Sequence, residues 1–230
     1  TLANGILASS AFARRDIVKL LPVSKVTTIP NGCHERPEDV CKDDLLPTDL
    51  AGVRWALAIG RLHPVKGYSE LIEAWSRLDM SNWKLAIAGP DEAGYRRTLE
   101  DLIVQLGLSE NVTLLGAVDD VQKWSLFDQC ELFVAPSKTE NFGMAIAEAL
   151  QSGTPVITTR GTPWSELPER ECGWWVESDV AAIEEALGVA TQLDADSLQK
   201  MGERGRCLIQ EKYSWAQVAA RTVDFYKSVL

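Results

Sequence analysis

From Arg54 onward, short apolar runs alternate with amphipathic stretches, and few architectures accept that pattern. Trp55 to Ile59 reads as a buried strand, and Tyr68 to Leu78 as a helix with Leu71, Ile72, Trp75 and Leu78 on one face. Trp83 to Ala88 is the next strand. Gly94 to Leu106 is a helix whose Leu99, Leu102, Ile103 and Leu106 keep an i, i+3, i+4, i+7 stripe, with Gly107 as its stop signal. Strand Val112 to Leu115, a helix near Val121 to Phe127, strand Leu132 to Ala135, a helix around Glu148 and strand Val156 to Thr159 follow. Parallel neighbours need a crossover, and a helix supplies it, so the alternation predicts an α/β fold: a Rossmann-like parallel sheet with helices on both faces. Ligands of such sheets lie beyond the C-terminal ends of the strands, which is where the polar motifs of this chain fall.

The flanks read differently. Ile6 to Ser9 is a strand candidate, Ala11 to Leu21 a helix stopped by Pro22, and Val26 to Ile29 a strand ended by Pro30-Asn31-Gly32; together they resemble the tail of another unit. His34 to Gly52 is dense in Pro, Asp and Glu and is expected to be an exposed connection. Ser214-x-x-Gln217 is a capping-box signal opening a final helix with Trp215, Val218, Phe225 and Val229.

At 230 residues and 46% hydrophobic content the chain can bury a sizeable core. A formal charge of -10 argues against nucleic acid or anionic lipid as the main partner. No apolar run approaches the roughly 20 residues that cross a bilayer, and no charged-then-apolar leader opens the chain, so a cytoplasmic protein is expected. Cys33, Cys41, Cys130, Cys172 and Cys207 are odd in number and never form a C-x-x-C pair, which reads as reduced thiols. Cys33, His34 and Cys41 lack zinc spacing and a fourth ligand, so no metal site is assigned.

One stretch carries most of the chemistry: Pro136 to Leu150, closed by Gly153-Thr154-Pro155. A helix there places Glu148 among Ala145, Ile146, Ala147, Ala149 and Leu150, and a buried carboxylate needs a hydrogen-bond partner. Gly143 lets a ligand approach the backbone, and the first amides of the helix face any anion beyond its N-terminus. Glu140 stands at that mouth, eight positions before Glu148. Two carboxylates beside a helix N-terminus suit a ligand with hydroxyls at two places and negative charge between them, as in a nucleotide sugar. A second motif, Gly60-Arg61-Leu62-His63-Pro64-Val65-Lys66-Gly67, follows a strand and precedes a helix; its guanidinium and ammonium suit a diphosphate. Trp164, Trp174 and Trp175 could stack on a base or sugar ring, but aromatics of this kind more often fill a core, so they are assigned there and left out of the site. An NAD dehydrogenase is disfavoured, because no strand is followed by G-x-G-x-x-G.

Taken with Ile29-Pro30-Asn31-Gly32 and Gly153-Thr154-Pro155-Val156, these motifs resemble, in order, those of the family 4 retaining glycosyltransferases of GT-B fold, over nearly the whole chain. The resemblance implies that Arg61 and Lys66 bind the diphosphate and offset its charge as it departs, and that Glu140 takes hydroxyls of the donor sugar. It implies that Gly60, Phe142, Gly143 and Met144 touch donor sugar and diphosphate, that Glu148 takes the ribose hydroxyls, and that Val118 lies near the base. It implies a metal-independent transfer, without cofactor, from a nucleoside diphosphate sugar to a hydroxyl acceptor with retention, in a setting such as polysaccharide biosynthesis. The domains expected are an end of the N-terminal acceptor domain at 1–32, a connection at 33–52, the C-terminal nucleotide-sugar-binding domain at 53–213 and a helix at 214–230 that packs on the N-terminal domain. The acceptor site would then belong to an N-terminal domain, a partner chain or a second copy. Two alternatives are a nucleotide-sugar-binding subunit that needs a separate acceptor domain, and a GT-B-type sugar-nucleotide epimerase. The sequence departs from the family pattern at Cys33-His34 and at Gly161 to Glu166, where a more glycine-rich segment is usual, so the pocket wall is expected to have a different shape there.

Overall fold

A computed structural model describes residues 5–20, 26–37, 50 and 52–229. Two sheets are present among them. The smaller pairs β1 (Ile6–Ala8) with β2 (Val26–Thr28) in parallel, with helix α1 (Ala11–Leu20) between them in sequence. The larger is built from β3 (Arg54–Ile59), β4 (Trp83–Ala88), β5 (Val112–Gly116), β6 (Leu132–Ala135), β7 (Val156–Thr159) and β8 (Gly173–Val176). Its order is β5-β4-β3-β6-β7-β8 and every pairing is parallel. The order reverses between β3 and β6, which opens a crevice at their C-terminal ends.

Alternation along the strands fills both faces. Ala56 and Ala58 of β3, Leu85 and Ile87 of β4, and Leu132 and Val134 of β6 point into one core, with α2 (Tyr68–Ser76), α3 (Tyr95–Gln105) and α6 (Val180–Thr191) over it. Trp55, Leu57, Ala86, Ala88 and Phe133 point into the other, under α4 (Asp120–Gln129) and α5 (Met144–Ser152). Helix α7 (Ala195–Leu208) joins both cores, Leu198 in the first and Leu208 in the second. It runs into a short π-helical turn (Ile209–Tyr213) and then α8 (Trp215–Val229).

The elements predicted up to Thr159 are present, with ends displaced by a residue or two, as fraying ends usually are. The pattern does not single out β8, α6 or α7. Helix α6 is small and apolar on most sides, so it shows no clean stripe. Gly202 and Gly205 lower the helix propensity of α7, yet a side chain at Gly202 would lie 1.7 Å from the Gly153 carbonyl oxygen. The connection expected at 33–52, and Cys41 with it, lies mostly outside the described residues. Around it the chain returns on itself: the Cys33 amide donates to the Tyr213 carbonyl at 2.7 Å, and Cys33 bridges to Ser214. Helix α8 packs on the small sheet through Val218 and Phe225 against Ile29, with Leu7 and Val229 beside them. Trp164 is buried and Trp174 packs on the core, but Trp175 lines a cavity, which corrects its assignment to the core. Its indole N–H donates to the Thr162 carbonyl at 3.0 Å.

Candidate functional site

The loops after β3 and β6 press together across the crevice. The Lys138 amide donates to the Val65 carbonyl at 2.8 Å. Gly67 has φ 72°, and a side chain there would sit 2.1 Å from the Pro136 carbonyl oxygen, so both the backbone angle and the contact require glycine. Between Gly60 and Gly67 the chain makes a 3-10 turn, Pro64–Lys66, capped by His63, whose Nδ1 accepts from the Val65 amide at 3.1 Å. That turn delivers Lys66 across the crevice to Glu140, Nζ to Oε2 at 2.5 Å, with each side chain about a fifth exposed (20% and 24%).

Beneath them lies Tyr68. A methyl at Gly60 would meet its hydroxyl at 2.8 Å and the Lys66 stem at 3.5 Å. Burial, and then the charge of Glu140, push the Tyr68 phenol well above its ordinary range, so it stays a neutral donor under the loop. Arg61 takes another course. It pairs with Glu92 at 2.5 Å on the exposed side and is itself 61% exposed. The two cations expected to converge on one diphosphate are thus engaged by acids from different segments.

Helix α5 begins at Gly143, where φ is 83° and a side chain would stand 2.9 Å from Ile146 Cδ1. No side chain caps this N-terminus, so its first amides face the crevice without a side-chain acceptor. Met144, the first helical residue, meets the Pro30-Asn31-Gly32 turn, with Asn31 Nδ2 4.0 Å from its sulfur. Phe142 is buried and rigidly seated: Trp164 Nε1 donates to its carbonyl at 2.6 Å, and its ring packs on Trp164 and Tyr213 at centroid distances of 5.3 and 5.7 Å. Val118, beyond the end of β5, is half-buried against the α4–α5 core.

Glu148 is buried, as its apolar neighbours require, and its partner is Lys123 of α4, Nζ to Oε1 at 2.8 Å. Lys123 also reaches Asp120 at 3.2 Å. Burial pulls the Lys123 ammonium down, but the hydrogen bond and charge of Glu148, then those of Asp120, outweigh it and hold it above its ordinary value. Burial, with the charge of Glu148 behind it, pushes the Cys33 thiol up to about 12. Lys123, Tyr68 and Glu92 were not among the residues singled out from sequence. Lys123 is 25 residues from Glu148, and no local spacing joins them; the Asp119-x-x-Gln122 capping box that starts α4 is the one local signal that places it on a helix.

Among the described residues no group of three or more His, Cys, Asp or Glu side chains is placed to hold a metal ion, and no helix is long and apolar enough to cross a membrane. A cavity of about 690 Å³ lies beside this crevice, and of the candidate donor-site residues only Phe142 lines it.

A family model described as glycosyl transferases group 1 matches residues 52–207. The MMP alpha-(1->4)-mannosyltransferase of Mycolicibacterium hassiacum is 32% identical over 178 residues, covering 73% of this chain and 41% of that protein. O-antigen chain mannosyltransferase B of Escherichia coli is 29% identical over 241 residues, covering 98% of this chain and 61% of that protein. Among solved structures, Anabaena HepE in complex with UDP and glucose aligns with a TM-score of 0.82 at 20% identity, over 99% of this chain and 64% of that one, which is a likeness of fold. The chain spans about half the length of the curated relatives it matches.

Proposed function

The chain belongs to the group 1 glycosyl transferases, and from that premise we propose that it supplies the donor-binding half of a retaining, metal-independent glycosyltransferase. The donor is a nucleoside diphosphate sugar, the class of the UDP-glucose seen in a complex with its neighbour HepE, and the acceptor offers a hydroxyl. One observation carries this reading: the Lys66–Glu140 contact at the reversal point of the sheet. There a cation for phosphate oxygens and a carboxylate for sugar hydroxyls stand side by side.

In the transfer, the bond from the sugar's anomeric carbon to the diphosphate breaks and charge builds on the departing oxygen, while the acceptor oxygen bonds to that carbon on the same face and its hydroxyl proton passes to the departing diphosphate. Lys66 turns from Glu140 to that diphosphate, with Arg61 swinging in from Glu92. Both stabilise developing charge that the ground state lacks. The uncapped amides of α5 add to the same field, behind Gly143 and Met144. Freed of Lys66, Glu140 accepts from the sugar hydroxyls. Glu148 keeps Lys123 on one oxygen and offers the other to the ribose. Gly60 leaves room for the phosphates, and the backbone at Val118 borders the base.

Calorimetric titration of the chain with UDP, GDP and ADP, without divalent ions, tests this. At least one is expected to bind, and Lys66→Ala and Glu148→Ala each to weaken it tenfold or more with an unchanged circular dichroism spectrum. Equal affinity in both variants rejects the placement of the site. Binding that appears only with added Mg²⁺ rejects metal independence.

A further inference from the structure

Apart from Phe142, the 690 Å³ cavity is bounded by residues to which donor binding gives no task. Ser9 precedes α1, Glu166 follows β7, Trp175 lies in β8, Tyr213 ends the π-helical turn, and Gln217 and Arg221 belong to α8. We propose that this cavity seats the carbohydrate end of the acceptor, a neutral mono- or disaccharide unit laid against Trp175 and hydrogen-bonded by Glu166. The word acceptor rests on the glycosyltransferase reading; the word carbohydrate rests on the cavity itself.

Size comes first: the volume falls within the roughly 300–1,000 Å³ of small-molecule sites. Charge comes second. Two acids, Glu166 and Glu211, and two cations, Lys212 and Arg221, line the space, so its formal charge is zero. Lys212 is tied to Glu166, and Arg221 donates to the Thr28 carbonyl at 3.2 Å. Both cations lining the cavity are thus engaged within the protein, and the acids that line it balance their charge.

Chemistry comes third. A sugar ring has apolar C–H faces and a rim of hydroxyls, and the wall offers aromatic rings beside hydroxyl, amide and carboxylate groups. The Trp175 ring is fixed before any ligand arrives, by its N–H on Thr162 and by Arg160 over the ring at 5.4 Å. Glu166 is equally fixed, accepting from Lys212 on Oε2 and from the Tyr213 hydroxyl on Oε1. A carboxylate has about four lone-pair sites, so each oxygen keeps one for a ligand hydroxyl. Position comes last. Phe142 borders this cavity and directly precedes Gly143, where α5 meets the donor crevice, so the cavity adjoins the candidate donor site. Glu166 also lies in the segment, Gly161 to Glu166, that departs from the family pattern.

Saturation-transfer NMR on the whole chain, with a panel of neutral sugars (glucose, mannose, galactose, N-acetylglucosamine and their common disaccharides), tests the proposal. Glucose 6-phosphate serves as the charged control. We expect saturable binding of at least one neutral sugar, weakened fivefold or more in Trp175→Ala, less in Trp175→Phe, and weakened also in Glu166→Gln. Glucose 6-phosphate is expected to bind no better than glucose. No panel sugar binding the wild type, equal binding in all three variants, or a preference for the phosphate would overturn it. Should Trp175→Ala melt early, the other two variants carry the test. UDP, GDP and ADP titrations on the same samples separate the two readings. Sugar binding without nucleotide binding removes the donor assignment and leaves the cavity; nucleotide binding without sugar binding does the reverse.

Discussion

Glu148 is 7% exposed and pairs there with Lys123, Nζ to Oε1 at 2.8 Å. Removing one partner of a buried pair leaves the other uncompensated, which costs about 3–5 kcal/mol. Lys123→Met is therefore expected to lower the urea stability by roughly that amount, and Lys123→Met with Glu148→Leu to recover most of it, because the second change removes the stranded charge. A double variant as unstable as the single one would show that the helices fail for another reason. The thiols report on burial in the same way. Cys33 and Cys172 are buried, and desolvation raises them to about 12 and about 11. Folded thiols that hold their protons above the ordinary value contribute stability fully present below about pH 8.5. That contribution is lost as pH rises toward 11 and 12, where the unfolded chain has already released protons the folded one keeps. Urea midpoints measured at pH 7.5, 9 and 10 are expected to fall in that order, with a shallower slope in Cys33→Ala. Alkylation followed by peptide mapping should mark exposed Cys207 long before Cys33, Cys130 or Cys172.

At the scale of elements, what sequence patterning reads well is what a single period controls. Strands β3 to β7 and helices α2 to α5 each bury one face or two by a regular spacing, and each was legible. Helix α7 was not, because its Gly202 answers to the Gly153 carbonyl, 49 residues away, and its Gly205 to the Leu150 side chain. The turn before α2 shows the same dependence in the site. Gly67 is fixed by φ 72° and by Pro136 at once, so Gly67→Ala is expected to destabilise the chain by more than about 1 kcal/mol. It should also displace Lys66 and weaken nucleotide binding. A variant with wild-type melting temperature and affinity would mean that the two loops do not press together in solution.

Across the whole molecule, α8 ties the small β1–β2 unit to the main sheet. Its inner side packs Val218 and Phe225 on Ile29, and Arg221 reaches the Thr28 carbonyl. Phe225→Ala removes a large side chain from a small cluster, so hydrogen exchange in α8 and β2 is expected to quicken strongly. Exchange in β3 and β4 and the nucleotide affinity should stay within twofold of wild type, since neither depends on that cluster. Uniform acceleration across all strands would instead make the chain one cooperative unit.

The amino-acid sequence by itself determined the strand–helix alternation, and through it a parallel sheet with its ligands at one end, because apolar periodicity is a local property that a few turns of chain reveal. It also marked Lys66, Glu140, Gly143 and Glu148 as polar or flexible groups where buried structure would not otherwise place them. Only the tertiary structure decided the pairings: Lys66 with Glu140, Lys123 with Glu148, Arg61 with Glu92, and the aromatic cavity that closes between β8 and α8. Each joins segments 25 or more residues apart, and which segments meet is fixed by strand order and helix packing, for which one-dimensional spacing has no counterpart.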